Sequence, residues 1–199
     1  MADKEHQKSR QLLITGATGG MGRASALLAA REGYDLVLAD LSQNKLDELA
    51  TMCVNLGVAT RCQCLDVTQL DSVENLVASL QAGGGINAII HTVGLSPQMA
   101  DSRRIIDVDL LGTVALLEQV RLQLKPGGCA LCIASMSAYM VPPNESIEKA
   151  LIDPLAPDFS YRLKTLTSAG GLLEHPGLAY AYAKKALKQV NGVLISESM

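Results

Sequence analysis

Tyr180 and Lys184, four residues apart in Ala179-Tyr-Ala-Tyr-Ala-Lys-Lys-Ala186, have the clearest chemistry in this sequence. On a helix they lie one turn apart on one face. A tyrosine is a poor base at its usual pKa of about 10, but a neighbouring ammonium group stabilises a phenolate, and so does a positively charged nicotinamide ring. A phenol in that setting can exchange a proton with a hydroxyl or carbonyl oxygen while a hydride moves to or from a cofactor. Tyr182 has no such partner, because position 186 is alanine. Ser135 closes an apolar run, where a hydroxyl can hold a substrate oxygen; Ser137, two residues on, is its close competitor.

A second constellation is built for a phosphate. Gln11-Leu-Leu-Ile-Thr15 stops at Gly16-Ala17-Thr18-Gly19-Gly20-Met21-Gly22, four glycines in seven residues, and a helical pattern follows. Strand, tight turn and helix in that order open a dinucleotide-binding unit. Glycines let the backbone turn sharply and approach a pyrophosphate, at which the new helix aims its N–H groups. Asp40, followed by Leu41, ends the second apolar run. A carboxylate there accepts hydrogen bonds from ribose hydroxyls and repels a 2′-phosphate, which favours NAD over NADP; a helix N-cap role is compatible. Asp66, followed by Val67, ends the third run in a similar way, facing an adenine or capping a helix.

The elements that must position these groups alternate in type. Strands are expected at 11–15, 34–40, 59–65, 86–93 and 129–134. Helices are expected at 20–31, around Leu46–Leu56, around Val73–Leu80, from about Arg103 to Leu124, and from about Leu178 onward. Almost wholly apolar strands alternating with helices mean a parallel sheet covered on both faces, a Rossmann-like doubly wound α/β fold. Pro126-Gly127-Gly128 is read as the stop of the long helix. Residues 136–176 break the rhythm with five prolines and a short helix around Ser160–Ser168. They form an irregular insertion near the candidate site, and an excursion of that length is usually functional.

The bulk properties narrow the classes. The 199 residues suit one domain over 11–199, preceded by a polar, flexible tail at 1–10 that resembles neither a signal nor a transit peptide. A net charge of −3 gives no basis for nucleic acid or an anionic membrane as partner. No apolar run reaches the ~18 residues of a membrane span, and a cytoplasmic protein is expected. Five cysteines, an odd number, argue against a disulfide framework. Cys62 and Cys64 share a strand face and are read as buried thiols. Cys129 and Cys132 fall on opposite faces of a strand and are read as core, so no metal site is expected. His91 is read as a packed strand histidine; His175 precedes Pro176 close to Tyr180, where contact with a substrate is the less favoured reading.

Taken together, these motifs resemble the short-chain dehydrogenases/reductases. Thr15-Gly16-x-x-x-Gly20-Met21-Gly22 is similar to that family's cofactor turn, Leu65-Asp66-Val67 to its adenine contact, and Ile133-Ala134-Ser135 with Tyr180 and Lys184 to its catalytic set. The resemblance runs from about residue 10 to 195. It implies that Tyr180 is the general acid/base, that Lys184 binds the nicotinamide ribose and tunes the tyrosine, and that Ser135 orients the substrate carbonyl. Within the family, Gly94-Leu-Ser-Pro-Gln98, the long segment before Tyr180 and Gly177-Leu-Ala-Tyr-Ala181 look like the bacterial 3α-hydroxysteroid dehydrogenase/carbonyl reductase branch.

The chain departs from the family pattern in four places. Thr92-Val93-Gly94 stands where Asn-Ala-Gly is usual, and Asp109 stands where a helix asparagine helps relay protons. The turn also fits Thr-Gly-x-x-Gly-x-x-Gly through Gly19, a spelling similar to the branch acting on nucleotide sugars. The chain stops inside the helix bearing Tyr180, so the fold is expected to be shortened there.

The expected function is an NAD(H)-dependent interconversion of a secondary alcohol and a ketone. Ser135, Tyr180 and Lys184 are its catalytic set. Gly16, Thr18, Gly19, Gly20, Met21, Gly22, Asp40, Leu41, Asp66, Val67, Val93, Gly94, Tyr180 and Lys184 line the cofactor. The expected partners are a small alcohol or ketone and, through helix pairing, a homodimer or homotetramer. The alternatives are a dinucleotide-binding module without catalysis and a nucleotide-sugar epimerase or dehydratase.

Overall fold

The apolar strands do form a parallel sheet. The computed structural model describes residues 10–196, with side-chain surroundings through residue 189; residues 1–9 of the expected tail and the side chain of Val190 in the last helical stripe fall outside those bounds. Five strands, β1 (Gln11–Thr15), β2 (Asp35–Asp40), β3 (Thr60–Cys64), β4 (Ile86–His91) and β5 (Leu124–Cys132), lie in the order β3-β2-β1-β4-β5. Every pairing is parallel. The chain winds outward from β1 to β3, then returns to β1's other side with β4. That reversal is the doubly wound order, and it makes the carboxyl end of β1 the switch point.

The described chain forms two compact units. The first comprises residues up to Asp66, Glu74–Thr92 and Arg121–Cys132, and the second Val67–Val73, Val93–Val120 and Ile133 onward. The first holds the sheet with α1 (Gly20–Arg31) and α2 (Gln43–Asn55). Its core packs Leu12, Ile14, Leu36 and Leu38 against Ala26, Ala30, Leu46, Leu49 and Cys53. The alanines of α1 do what their size suggests, since Ala26 is fully buried and lets the helix lie close to the strands. Helix α3 (Leu70–Ala82) connects β3 to β4.

The second unit is helical. Its elements are α4 (Ser102–Ile106), a π-helical turn (Asp107–Gly112), α5 (Thr113–Val120), a 3₁₀ turn (Met136–Tyr139), α6 (Glu145–Leu151), α7 (Phe159–Thr167) and α8 (Pro176–Ser196). Ile106, Leu110, Val114, Ile147, Leu163 and Leu187 are among its buried core residues. The irregular insertion is thus mostly organised, and the expected short helix is α7. Asn144 caps α6 by accepting the Ile147 N–H at 3.1 Å, while its own N–H donates to Glu148 Oε1 at 3.2 Å. Arg162 ties α7 to the end of α6 by donating to Ala150 O at 2.6 Å and Asp153 O at 2.9 Å. Among the described residues no helix is long and apolar enough to cross a membrane.

Three local expectations are corrected. The long helix is interrupted by the π turn and ends at Val120, followed by a 3₁₀ turn at Arg121–Gln123. Pro126-Gly127-Gly128 is therefore not a helix stop. It lies inside β5, which opens at Leu124 opposite Ile86 and shifts register before Cys129 meets Ala88. An edge strand tolerates a proline and a bulge of this kind. Finally, the thiols are less buried than expected: Cys64 and Cys129 are exposed, and Cys62 and Cys132 are half-buried. β3 and β5 are the sheet's outer strands, so an apolar alternation there does not guarantee cover. None of the five cysteines forms a disulfide, and no metal-holding cluster occurs among the described residues.

Candidate active site

In the first unit the glycine turn leaves β1 and opens α1. Gly16 has φ +70°, a left-handed conformation that favours glycine. A Cβ on Gly22 would lie 2.1 Å from Gly16 O, so only glycine lets α1 start this close to the turn. Gly19 is the N-cap of α1 and donates to Gly16 O at 3.1 Å, while a Cβ on Gly20 would meet open space. The protein's own packing therefore requires Gly16 and Gly22, which both spellings of the motif share, and leaves the choice between Gly19 and Gly20 open. No side chain caps α1 and no acidic residue stands in its first turn. A helix start free of capping side chains and carboxylates, with an open Gly20 in its first turn, fits a pyrophosphate. Met21 is exposed there.

The surroundings hold that turn in shape. Asp40 at the end of β2 accepts the Thr18 N–H on Oδ2 at 2.8 Å and the Leu41 N–H on Oδ1 at 2.7 Å. It is thus a brace for the turn, and each oxygen keeps a further lone pair; Leu41 itself is exposed. Thr92 Oγ1 donates to Thr15 O at 2.9 Å and Gly16 O at 3.1 Å, so the threonine in place of asparagine links β4 to the turn. His91 is buried as expected, with Nδ1 2.7 Å from Thr15 Oγ1. Asp66, just beyond β3, is half-buried.

The second unit gathers the proton-handling candidates around α8. Lys184 is only 5% exposed, and its Nζ lies 5.6 Å from the centre of the half-buried Tyr180 ring, within cation–π range. The same Nζ lies 3.1 Å from Oδ2 of Asp109, which is fully buried on the π turn. The approach is oblique, and Oδ2 has no well-aligned hydrogen bond, so charge holds the pair. Oδ1 of Asp109 accepts the Leu95 N–H at 2.7 Å. Burial pushes the Asp109 carboxyl above the usual carboxylate range, against the opposing pull of Lys184 and of that N–H.

Ser135 lies just past β5 rather than in it. As N-cap of the 3₁₀ turn it accepts the Ser137 N–H at 3.2 Å, and the two hydroxyls are 2.8 Å apart. The competing serines thus form one hydroxyl pair, on a turn that packs against α8. Val67 is buried, Val93 is half-buried and Gly94 is exposed. Sequence reasoning missed what two residues do. Tyr182 is buried and its hydroxyl donates to Pro142 O at 2.6 Å, fastening the insertion to α8. His175 accepts the Gly177 N–H at 3.0 Å, closing the first turn of α8; a histidine directly before an N-terminal proline was the available signal.

Comparison with known proteins identifies the family. Residues 16–151 match the protein-family model described as enoyl-(acyl carrier protein) reductase. A very-long-chain 3-oxoacyl-CoA reductase of Phaeosphaeria nodorum is 31% identical over 147 residues, 66% of this chain and 43% of that protein. A 7α-hydroxysteroid dehydrogenase of Bacteroides fragilis is 29% identical over 104 residues, 51% of this chain and 40% of that protein. The chain thus spans less than half the length of either relative. Among solved structures, an alcohol dehydrogenase from the archaeon Thermococcus sibiricus, complexed with 5-hydroxy-NADP, superposes with a TM-score of 0.73 at 23% identity, over 96% of this chain and 72% of that one. The chain belongs to the short-chain dehydrogenase/reductase family.

Proposed function

We propose that this protein is an NAD(H)-dependent oxidoreductase that interconverts a secondary alcohol and a ketone. The observation that carries the reading is the Lys184 ammonium, buried on α8 and 5.6 Å from the Tyr180 ring. A buried cation beside a phenol suits proton exchange at a substrate oxygen. The names of the two relatives, a 3-oxoacyl-CoA reductase and a hydroxysteroid dehydrogenase, support a carbonyl–hydroxyl substrate.

A nicotinamide dinucleotide, when bound, supplies the hydride donor or acceptor. The chain's own residues do the rest. Gly16, Thr18, Gly19, Gly20, Met21 and Gly22 would hold the pyrophosphate, with the α1 start as its anion site. Asp40 and Leu41 would read the adenosine ribose, and Asp66 and Val67 the adenine. The Asp40 carboxylate disfavours a 2′-phosphate, which supports NAD although the archaeal structure carries an NADP derivative. Tyr180 exchanges the proton with the substrate oxygen, Ser135 donates to that oxygen, and Lys184 holds the nicotinamide ribose, which Val93 and Gly94 would flank.

Absorbance at 340 nm with NADH and a panel of ketones is the direct test. Tyr180→Phe should abolish turnover and leave NADH binding largely intact; equal loss of both would remove Tyr180 from the chemistry. A second reading, a dinucleotide-binding module without catalysis, draws support from Thr92 and Asp109, which stand where the family pattern has asparagines. Tight NADH binding with no oxidation by any ketone would favour it.

A further inference from the structure

We propose that Asp109 is a positioning residue, a buried carboxylate that pins the Lys184 ammonium beside Tyr180. The inference rests on the reading of Tyr180 and Lys184 as the proton-handling pair, and adds to it a residue that the family pattern leaves as a mismatch. A backbone N–H and an ammonium converge on the Asp109 side chain from different segments: Leu95 N donates to Oδ1 at 2.7 Å, and the Lys184 charge lies 3.1 Å from Oδ2. A carboxylate offers an acceptor to each. An asparagine has one acceptor oxygen and one NH₂ donor, so either way round it turns a donor toward a donor. In this chain aspartate is the residue that fits, and asparagine would be the misfit.

The surroundings are shaped for that pair. A Cβ on Gly94 would come within 3.3 Å of Asp109 Oδ2 and 3.4 Å of Lys184 Nζ, so the missing side chain makes room for both. Asp109 sits in a π turn, an insertion that re-aims side chains and is frequent at functional sites. A Cβ on Gly112 at its end would come within 2.8 Å of the Val67 side chain, so the turn is tightly seated. On the segments packed against it, the other charged groups are engaged elsewhere. Arg103 pairs with Asp107 at 2.9 Å, Arg104 reaches Thr68 at 3.0 Å, and Lys185 pairs with Glu148 at 2.7 Å. Glu118 on α5 also has an interaction of its own. Lys184, among the described residues, is the cation at the Asp109 carboxylate.

The test compares wild type, Asp109→Asn, Asp109→Glu, Lys184→Met and the double variant Asp109→Asn/Lys184→Met. Thermal unfolding at pH 7 reads the pair without reference to activity. Each single neutral substitution should lower Tm by several degrees, and the double variant should fall clearly short of the sum of the two losses, because it leaves no charge buried alone. If Asp109→Asn does not fold while the double variant does, that is the same result in its extreme form. Additive losses would overturn the proposal.

Kinetics then separate positioning from mere support. Asp109→Asn should lower kcat at least tenfold while the KM for NADH changes less than threefold. It should also lose the acid limb of the wild-type pH–rate profile, where protonation of Asp109 releases Lys184. Asp109→Glu should restore part of that limb. A coupled pair in unfolding with an unchanged kcat and pH profile in Asp109→Asn would make the contact structural only and overturn the positioning role. A wild type that turns over no alcohol or ketone would instead overturn the oxidoreductase reading, and the unfolding cycle would then decide by itself whether Asp109 holds Lys184.

Discussion

Gly22 and Asp40 show how much a single residue can carry. At Gly22 the added methyl of alanine would overlap the Gly16 carbonyl, with only 2.1 Å between Cβ and oxygen. We expect Gly22→Ala to cost about 3 kcal/mol of stability, at the upper end for overpacking, and to weaken NADH binding; urea unfolding and NADH fluorescence titration check both. Gly20→Ala meets open space and should leave stability nearly unchanged, so any loss of NADH binding there reports ligand approach alone. Asp40→Ala is expected to weaken NADH binding by about tenfold, by analogy with charged hydrogen bonds worth ~1.5 kcal/mol. NADPH binding should be no worse, and a retained preference for NADH would remove Asp40 from the ribose site. Gly16 and Gly22 were legible in the sequence because local backbone geometry forces their identities, and Asp40 because it closes an apolar run. Asp40's grip on the Thr18 N–H was not, since it depends on the end of β2 reaching the turn after β1.

Among the elements, the organisation of the 136–176 insertion was the least legible. Prolines punctuate it, yet one hydroxyl on α8 fastens it: Tyr182 Oη donates to Pro142 O at 2.6 Å. Removing that hydroxyl should cost about 1 kcal/mol, and hydrogen exchange in Tyr182→Phe should accelerate over residues 136–151 more than in β1 or β2. Uniform protection across the chain would show that the insertion is held without that hydrogen bond, by its apolar contacts and by pairs such as Lys185–Glu148. The π turn was equally hidden, because one extra residue in a helix leaves the apolar pattern almost intact. The sequence pattern read 103–124 as one helix, and the tertiary structure divides it at the residue that meets Lys184.

For the molecule as a whole, the buried Asp109 sets a pH dependence with a definite sign. Its folded pKa is raised above the ordinary 3.8, so between the two values the folded state binds the proton more tightly than the unfolded state. Its contribution to stability is therefore fully present below the unfolded value and declines as pH rises through the folded one. Measured by urea unfolding from pH 4 to pH 8, wild type should lose stability relative to Asp109→Asn as pH rises. A difference that grows in favour of wild type with rising pH would contradict the burial of an ionising carboxylate. Lys184 offsets part of the cost of ionisation, which is why the residue persists in the core at all.

The sequence by itself determined the parallel Rossmann-like sheet, the glycine turn, and the i, i+4 spacing of Tyr180 and Lys184. All of these follow from local periodicity, backbone freedom or spacing along one helix. Tertiary structure decided which strands lie at the edge, and so which cysteines are exposed. It made Ser135 and Ser137 one hydroxyl pair, and it turned Asp109 from an apparent substitution into the counter-ion of Lys184. The meeting of Asp109 with Lys184 depends on charges brought together from distant parts of the chain. Burial, which no local pattern reports for a single carboxylate, makes that last meeting matter.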